Sequence, residues 1–93
     1  MKACNLNHLW GRLIVEELIR NGVSEFCLSP GSRSTPLAIA VAERDDVHST
    51  VHFDERGSAF RALGFAKATG RPAVLICTSG TAVANFYPAL IEA

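Results

Sequence analysis

The run Ala73-Val74-Leu75-Ile76-Cys77 contains no polar side chain, follows Arg71-Pro72 and leads into Thr78-Ser79-Gly80. An apolar stretch this short, bounded by proline on one side and small turn-formers on the other, reads as a strand. It lacks the alternation of a half-solvated strand, so it must be covered on both faces, as in a parallel sheet with helices above and below. Two other segments have strand character. Glu25-Phe26-Cys27-Leu28 is apolar and ends at Ser29-Pro30-Gly31-Ser32, and Ser49-Thr50-Val51-His52-Phe53 is β-branched and aromatic before Asp54-Glu55-Arg56-Gly57.

Helical patterns fill the intervals. From Leu9 to Ile19 the apolar residues Leu9, Trp10, Leu13, Ile14, Leu18 and Ile19 recur at three- and four-residue steps among Arg12, Glu16, Glu17 and Arg20. Asn5 or Asn7 can cap this helix, and Asn21-Gly22 ends it. Ser34 or Thr35 followed by Pro36 starts a second helix that runs to Glu43. The acidic junction at Asp54-Glu55 opens a third, which ends at Gly70 and is rich in alanine. A fourth follows Thr78-Ser79-Gly80-Thr81 and reaches the end of the chain, where Ala89-Leu90-Ile91-Glu92-Ala93 stops without a cap and suggests a continuation. Strands alternating with helices predict an α/β fold, a parallel sheet with right-handed crossovers and helices on both faces.

Length and charge narrow the partners. The chain has 93 residues, enough for one small core, and is 48% hydrophobic and 19% charged, which excludes a disordered tail. Nine basic and nine acidic residues cancel, so no basic field recruits nucleic acid or anionic lipid. No apolar run approaches the ~20 residues of a membrane span, and polar Asn5, Asn7 and His8 interrupt any secretory signal, so the expected location is the cytoplasm. Cys4, Cys27 and Cys77 have neither disulfide nor zinc spacing, and the latter two sit within apolar runs as small core residues. His48, His52 and Asp54 make a weak metal signal, and His8 carries no role.

In open parallel sheets the ligand crevice lies beyond the C-terminal ends of the strands, so the three segments that follow the strands are the places to look. After the first, Pro30-Gly31-Ser32-Arg33-Ser34 offers glycine for close backbone approach, hydroxyl and N–H donors, and an arginine that can fork onto a carboxylate or phosphate. After the second, Glu55 can be partly desolvated and exchange protons, although an isolated acid at a helix start more commonly just complements the dipole. After the third, Thr78-Ser79-Gly80-Thr81 suits an anion or a flat ring lying against backbone. The fingerprints G-x-G-x-x-G, G-x-x-x-x-G-K-[ST] and G-x-S-x-G are absent.

Taken together, Phe26-Cys27-Leu28-Ser29-Pro30-Gly31-Ser32-Arg33-Ser34-Thr35-Pro36-Leu37, His52-Phe53-Asp54-Glu55-Arg56-Gly57, and Thr78-Ser79-Gly80-Thr81-Ala82 with Asn85 resemble the pyrimidine-binding domain of the thiamine-diphosphate enzymes, on the branch that serves menaquinone biosynthesis. The resemblance covers nearly the whole chain and implies that residues 1–93 are the N-terminal, three-stranded part of that domain. It implies that Glu55 hydrogen-bonds N1′ of the aminopyrimidine, favouring the imino tautomer whose 4′-nitrogen removes the thiazolium C2 proton. It also implies that Pro30, Gly31, Thr78, Gly80, Thr81 and Asn85 line the thiamine diphosphate site, while Ser32 and Arg33 face the substrate.

The implied reaction decarboxylates 2-oxoglutarate and adds the succinyl carbanion equivalent to isochorismate, whose carboxylates suit Arg33. The Gly-Asp-Gly segment and downstream Asn that hold Mg²⁺ or Mn²⁺ and the diphosphate in this family have no counterpart here. They belong to a diphosphate-binding domain, and the family's cofactor lies between subunits of a homodimer or dimer of dimers. Thr81-Ala82 stand where acetolactate synthases show Pro-Gly, which favours the menaquinone branch. Another thiamine-diphosphate decarboxylase or carboligase of the acetolactate synthase type, and a non-catalytic module binding small anions, remain open readings.

Overall fold

In a computed structural model the described residues are 5–93, so Cys4 lies outside them. Helix α1 spans Leu6–Arg20, and its cap is Asn5, whose side chain accepts from the His8 backbone N–H at 2.8 Å. It ends at Asn21, followed by Gly22 at φ +96, a left-handed conformation that glycine adopts without steric cost. Strand β1 is Glu25–Leu28, and a 3₁₀ turn at Ser32–Ser34 leads into α2, Thr35–Ala42, with Pro36 in the first turn, where its missing N–H costs nothing. Strand β2 is His48–Val51. Helix α3 spans Glu55–Thr69, with Asp54 accepting from the Arg56 N–H at 3.0 Å and Gly70 in the left-handed region closing the far end. Strand β3, Ala73–Ile76, precedes a 3₁₀ segment at Gly80–Phe86 and α4 at Tyr87–Glu92.

All three strands are parallel, in the order β2-β1-β3. The chain steps one way from β1 to β2, then back past β1 to β3, so right-handed crossovers must put α2 and α3 on opposite faces. The packing agrees. On one face Phe26, Leu28 and Ile76 meet Val15 of α1 and Ala40 and Val41 of α2. On the other, Leu75 and Cys77 meet Ala59 of α3, Phe86 and Ala89. Val74 and Ile76 thus face one layer and Leu75 and Cys77 the other, the two-sided burial expected of this strand.

Burying a side chain such as Phe26, which is fully enclosed, contributes about 1.5–3 kcal/mol. Helices α1 and α2 approach closely because Gly11 has no side chain: a Cβ there would lie 2.7 Å from the Pro36 carbonyl oxygen. At the N-terminal edge of the sheet Glu25 is 3% exposed, with its carboxylate met by His48 Nδ1 at 2.9 Å and Arg61 Nη2 at 3.1 Å.

Three local expectations change. The second strand begins at His48 and ends at Val51, because its only partner among the described residues is β1, whose Leu28 pairs with Val51. His52 still donates its backbone N–H to the Leu28 carbonyl at 2.9 Å, but Phe53 turns out to 90% exposure. The fourth helix is not α-helical from Gly80. Pro88 has no N–H for the Ala84 carbonyl and its ring would strike that group, so the α-helix starts at Tyr87, with Pro88 in its first turn. His8 has a role after all: it is 6% exposed and its Nε2 lies 3.3 Å from the Glu43 carboxylate, which also meets Arg12 Nε at 3.5 Å, fastening α1 to the end of α2.

Candidate functional site

In a 2-1-3 sheet the direction of winding reverses between β1 and β3, and the crevice beyond their C-terminal ends is where a ligand has room. Here the Ser29 N–H donates to the Ile76 carbonyl at 2.9 Å, carrying the β1–β3 pairing one residue beyond the strands. Gly31 follows with an extended backbone, φ 166, that any residue could adopt; space is what demands glycine there. A Cβ at Gly31 would lie 2.4 Å from Thr78 Cβ and 2.8 Å from its Cγ2. Ser34 closes the loop by donating Oγ–H to the Gly31 carbonyl at 2.9 Å. One turn further, Arg33 Nη1 donates to Ser79 Oγ at 3.1 Å. The loops after β1 and β3, far apart in sequence, therefore form one wall.

Glu55 comes to the same crevice from above. Helix α3 lies across β1 and β3, and its first residue is Glu55 because Asp54 takes the capping position. With the neighbouring acid serving the helix end, the half-buried Glu55 carboxylate makes no hydrogen bond or ion pair among the described residues. It lies close to Cys77: burial pushes that thiol up from its ordinary value, and the negative charge of Glu55 adds to the push. Beneath α3, Ser29 Oγ, Thr50 Oγ1, His52 Nε2 and Ser58 Oγ are buried polar atoms without a hydrogen-bond partner among the described residues. Thr50 pairs with Cys27, so these strand residues share the face that α3 covers and give it a polar floor.

Gly31, Glu55 and Thr78 are half-buried, and Pro30, Ser32, Arg33, Gly80, Thr81 and Asn85 are exposed. Gly80, at φ +72, takes the left-handed conformation that starts the 3₁₀ segment carrying Thr81 and Asn85. That segment flanks the crevice but makes no hydrogen bond to Arg33 or Glu55 among the described residues, so the structure joins the two loops through Gly31, Thr78, Arg33 and Ser79, sets Glu55 at the start of α3 near Cys77, and leaves Thr81 and Asn85 at the margin. Ser32 turns to a neighbouring cavity of about 550 Å³, lined also by His8, Thr35, Ile39 and Glu43. His48 is taken by Glu25, and no group of three or more His, Cys, Asp or Glu among the described residues could hold a metal ion. Sequence reasoning placed Ser79 in a candidate loop without a role of its own, and read Cys77 as a core residue without its proximity to Glu55. Extending the Leu28–Ile76 register by three residues sets Ser79 abreast of Gly31, a signal available only once the strand pairing is known.

The missing side chain at Gly31 admits Thr78 and so draws the two loops together, and an unpaired carboxylate at Glu55 can hydrogen-bond a ring nitrogen. Residues 10–93 match the N-terminal TPP binding domain of thiamine pyrophosphate enzymes. The chain belongs to the thiamine pyrophosphate enzyme family. Relatives of this family include 2-succinyl-5-enolpyruvyl-6-hydroxy-3-cyclohexene-1-carboxylate synthases. The one from Rubrobacter xylanophilus is 64% identical over 94% of the chain and 15% of its own length. Those from Chlorobium phaeobacteroides and Natronomonas pharaonis are 65% and 56% identical over the whole chain and 16% of their own lengths. The chain thus spans about 15–16% of the curated relatives it matches. The residues present fit the thiamine pyrophosphate of this family in one respect, the half-buried carboxylate of Glu55, which has no protein partner among the described residues and can meet a ring nitrogen.

Proposed function

We propose that this chain is the N-terminal part of the aminopyrimidine-binding domain of a thiamine-diphosphate-dependent carboligase that decarboxylates 2-oxoglutarate and adds the resulting four-carbon unit to isochorismate, in menaquinone biosynthesis. The observation that carries the reading is the unpaired Glu55 carboxylate at the β1/β3 crevice. The high identity to synthases of that name supports the substrate pair.

When bound, the cofactor supplies a carbon that can attack a carbonyl and hold the electrons released by decarboxylation. The residues of this chain prepare it. Glu55 holds a proton at the pyrimidine ring nitrogen; aspartate would fall about one methylene short, and glutamine could hydrogen-bond but not exchange the proton. Pro30 and Gly31, with Thr78 behind, form the surface on which the ring lies, and Gly80, Thr81 and Asn85 border it. Arg33 faces the substrate, where the guanidinium can take a carboxylate in two parallel bonds, and Ser32 reaches the substrate side from the neighbouring cavity that it lines. Mg²⁺ or Mn²⁺ and the diphosphate are assigned to a separate domain, contributed by the partner subunit of a homodimer or a dimer of dimers.

The outer edge of β3 supports a larger sheet. That strand is apolar along its length, and cavities of about 340 and 200 Å³ open beside it, lined by residues such as Ile14, Leu18 and Val83 on one face and Leu63 and Leu90 on the other. A right-handed crossover from α4 would deliver the next parallel strand to this edge. No helix among the described residues is long and apolar enough to cross a membrane; the proposed pathway places the enzyme in the cytoplasm.

The test is hydrogen–deuterium exchange at C2 of the cofactor bound to the full-length enzyme. Glu55→Gln should slow it by about 10²-fold or more, within the range of general acid–base contributions. Exchange at the wild-type rate would refute the role of Glu55. Turnover of pyruvate alone, with none of 2-oxoglutarate plus isochorismate, would replace the substrate pair with that of an acetolactate-type enzyme.

A further inference from the structure

The capping residues of this fold divide into two that cap, Asn5 and Asp54, and two serines that do not, Ser34 before α2, whose hydroxyl goes to the nearby Gly31 carbonyl, and Ser79. Asn5 and Asp54 both turn their side chains onto the first N–H groups of their helices. Ser79 occupies the equivalent position before the 3₁₀ segment Gly80–Phe86, with extended backbone angles suited to capping, yet its hydroxyl makes no capping bond. It accepts instead from Arg33 Nη1 at 3.1 Å. Serine is among the strongest capping residues, so a hydroxyl directed away from the helix end has exchanged a favourable local bond for a long-range one.

We propose that Ser79 is a positioning residue that fixes the Arg33 guanidinium for a substrate carboxylate. The inference rests on the reading of Arg33 as a carboxylate anchor and adds what holds that anchor in place. Both residues are exposed, and an exposed arginine ordinarily spreads over many rotamers that ligand binding must collapse. A single acceptor at Nη1 restricts that spread before the ligand arrives. It also leaves the other guanidinium N–H groups free, so a carboxylate can still be gripped by a parallel pair of bonds. Ser79 sits on the β3 loop and Arg33 on the β1 loop. The contact therefore lets the wall that receives the cofactor ring also set the orientation of the group that receives the substrate.

The experiment is a double-mutant cycle in the full-length enzyme, with Ser79→Ala, Ser79→Thr, Arg33→Ala and the Ser79→Ala/Arg33→Ala pair. Four quantities are read: KM and kcat for isochorismate, its Kd by calorimetry without 2-oxoglutarate, and the Kd for thiamine diphosphate. Ser79→Ala should raise KM and Kd for isochorismate about 3- to 10-fold, the scale of one hydrogen bond to a charged group at a partly solvated site. Changes in kcat and thiamine diphosphate affinity should stay under about 2-fold, and Ser79→Thr should behave as wild type. In the Arg33→Ala background Ser79→Ala should change nothing further, since its effect runs through the guanidinium.

Equal effects of Ser79→Ala with and without Arg33, or a weakening of thiamine diphosphate binding in step with that of isochorismate, would overturn the proposal by making Ser79 a structural residue. So would an Arg33→Ala defect accompanied by a silent Ser79→Ala. If Arg33→Ala itself leaves isochorismate binding unchanged, the anchor reading falls, and the role of Ser79 falls with it.

Discussion

Gly31 and Thr78 stand so close that a methyl group on the glycine would overlap the threonine Cβ at 2.4 Å. The contact joins the loop after β1 to the loop after β3 and fixes the width of the crevice between them.

Gly31→Ala should therefore force the two loops apart. A loss of about 1–3 kcal/mol is the usual cost of overpacking, read as a shift in the urea midpoint, and thiamine diphosphate affinity in the full-length enzyme should fall by at least about 10-fold. Thr78→Ser should not rescue it, because the obstructing Cβ remains. Wild-type affinity in Gly31→Ala would mean that the crevice is not where the ring lies.

The thiols report on the Glu55 carboxylate independently of turnover. Burial, assisted by the Glu55 charge, raises Cys77 above its ordinary value of 9.0, and burial also raises fully enclosed Cys27. Removing the charge in Glu55→Gln should move the pH midpoint for labelling of Cys77 downward, while Cys27 should stay unlabelled in the native state. An unmoved midpoint would put Glu55 away from Cys77. Because both thiols are raised in the folded state, their contribution to stability is complete below about pH 9 and is lost as the pH rises through the folded values.

Two glycines in helices should respond with opposite signs. Gly11→Ala drives a methyl into the Pro36 carbonyl at 2.7 Å and should destabilise by about 1–3 kcal/mol despite the better helix propensity of alanine. Gly64, within α3, has nothing within 4 Å of an added Cβ and an ordinary helical backbone, so Gly64→Ala should stabilise by about 0.5–1 kcal/mol. Thermal or urea unfolding of the two variants checks both signs, and equal signs would contradict the packing of α1 on α2.

Acid should act on the link from α1 to the segment after α2. Arg44 donates to Glu16 at 2.7 Å and to Asp46 at 2.7 Å, and it holds both carboxylates below their ordinary values of 4.5 and 3.8. A lowered carboxylate contributes stability that is present above its unfolded value and lost as the pH falls through its folded one. Wild type should thus be more stable than Arg44→Met at neutral pH, with the gap closing below about pH 4. The gap should also shrink in high salt, since the groups are solvated. A gap independent of pH would assign the Arg44 effect to packing of its stem.

Much of this was legible from residue order. The apolar run at Ala73–Ile76 announced a strand covered on both faces, and Gly22 and Gly70 marked the helix ends where left-handed residues are found. The junctions containing Gly31, Glu55 and Thr78 were visible as small-residue or acidic segments following strands. What sequence could not supply were relationships set by pairing. The end of β2 depends on where β1 ends, which is why Phe53 escaped the strand, and the Arg33–Ser79 bond depends on a register between distant segments. His8 was opaque for the same reason: its partner Glu43 is reached only through the packing of α1 on α2. Pro88, the reason for the broken fourth helix, stands in the sequence itself: its ring would strike the Ala84 carbonyl of any α-helix running through both residues.

The β2-β1-β3 order has a kinetic side. Neither half of the crevice can be completed by local folding, because Leu28 and Ile76 must pair across the whole β2–α3 excursion before Gly31 meets Thr78. Such long-range closures come late and slowly in folding. A ligand that touches both loops recognises only chains in which this closure has occurred, so its binding energy is delivered to the β1–β3 seam and counts directly toward the stability of the sheet.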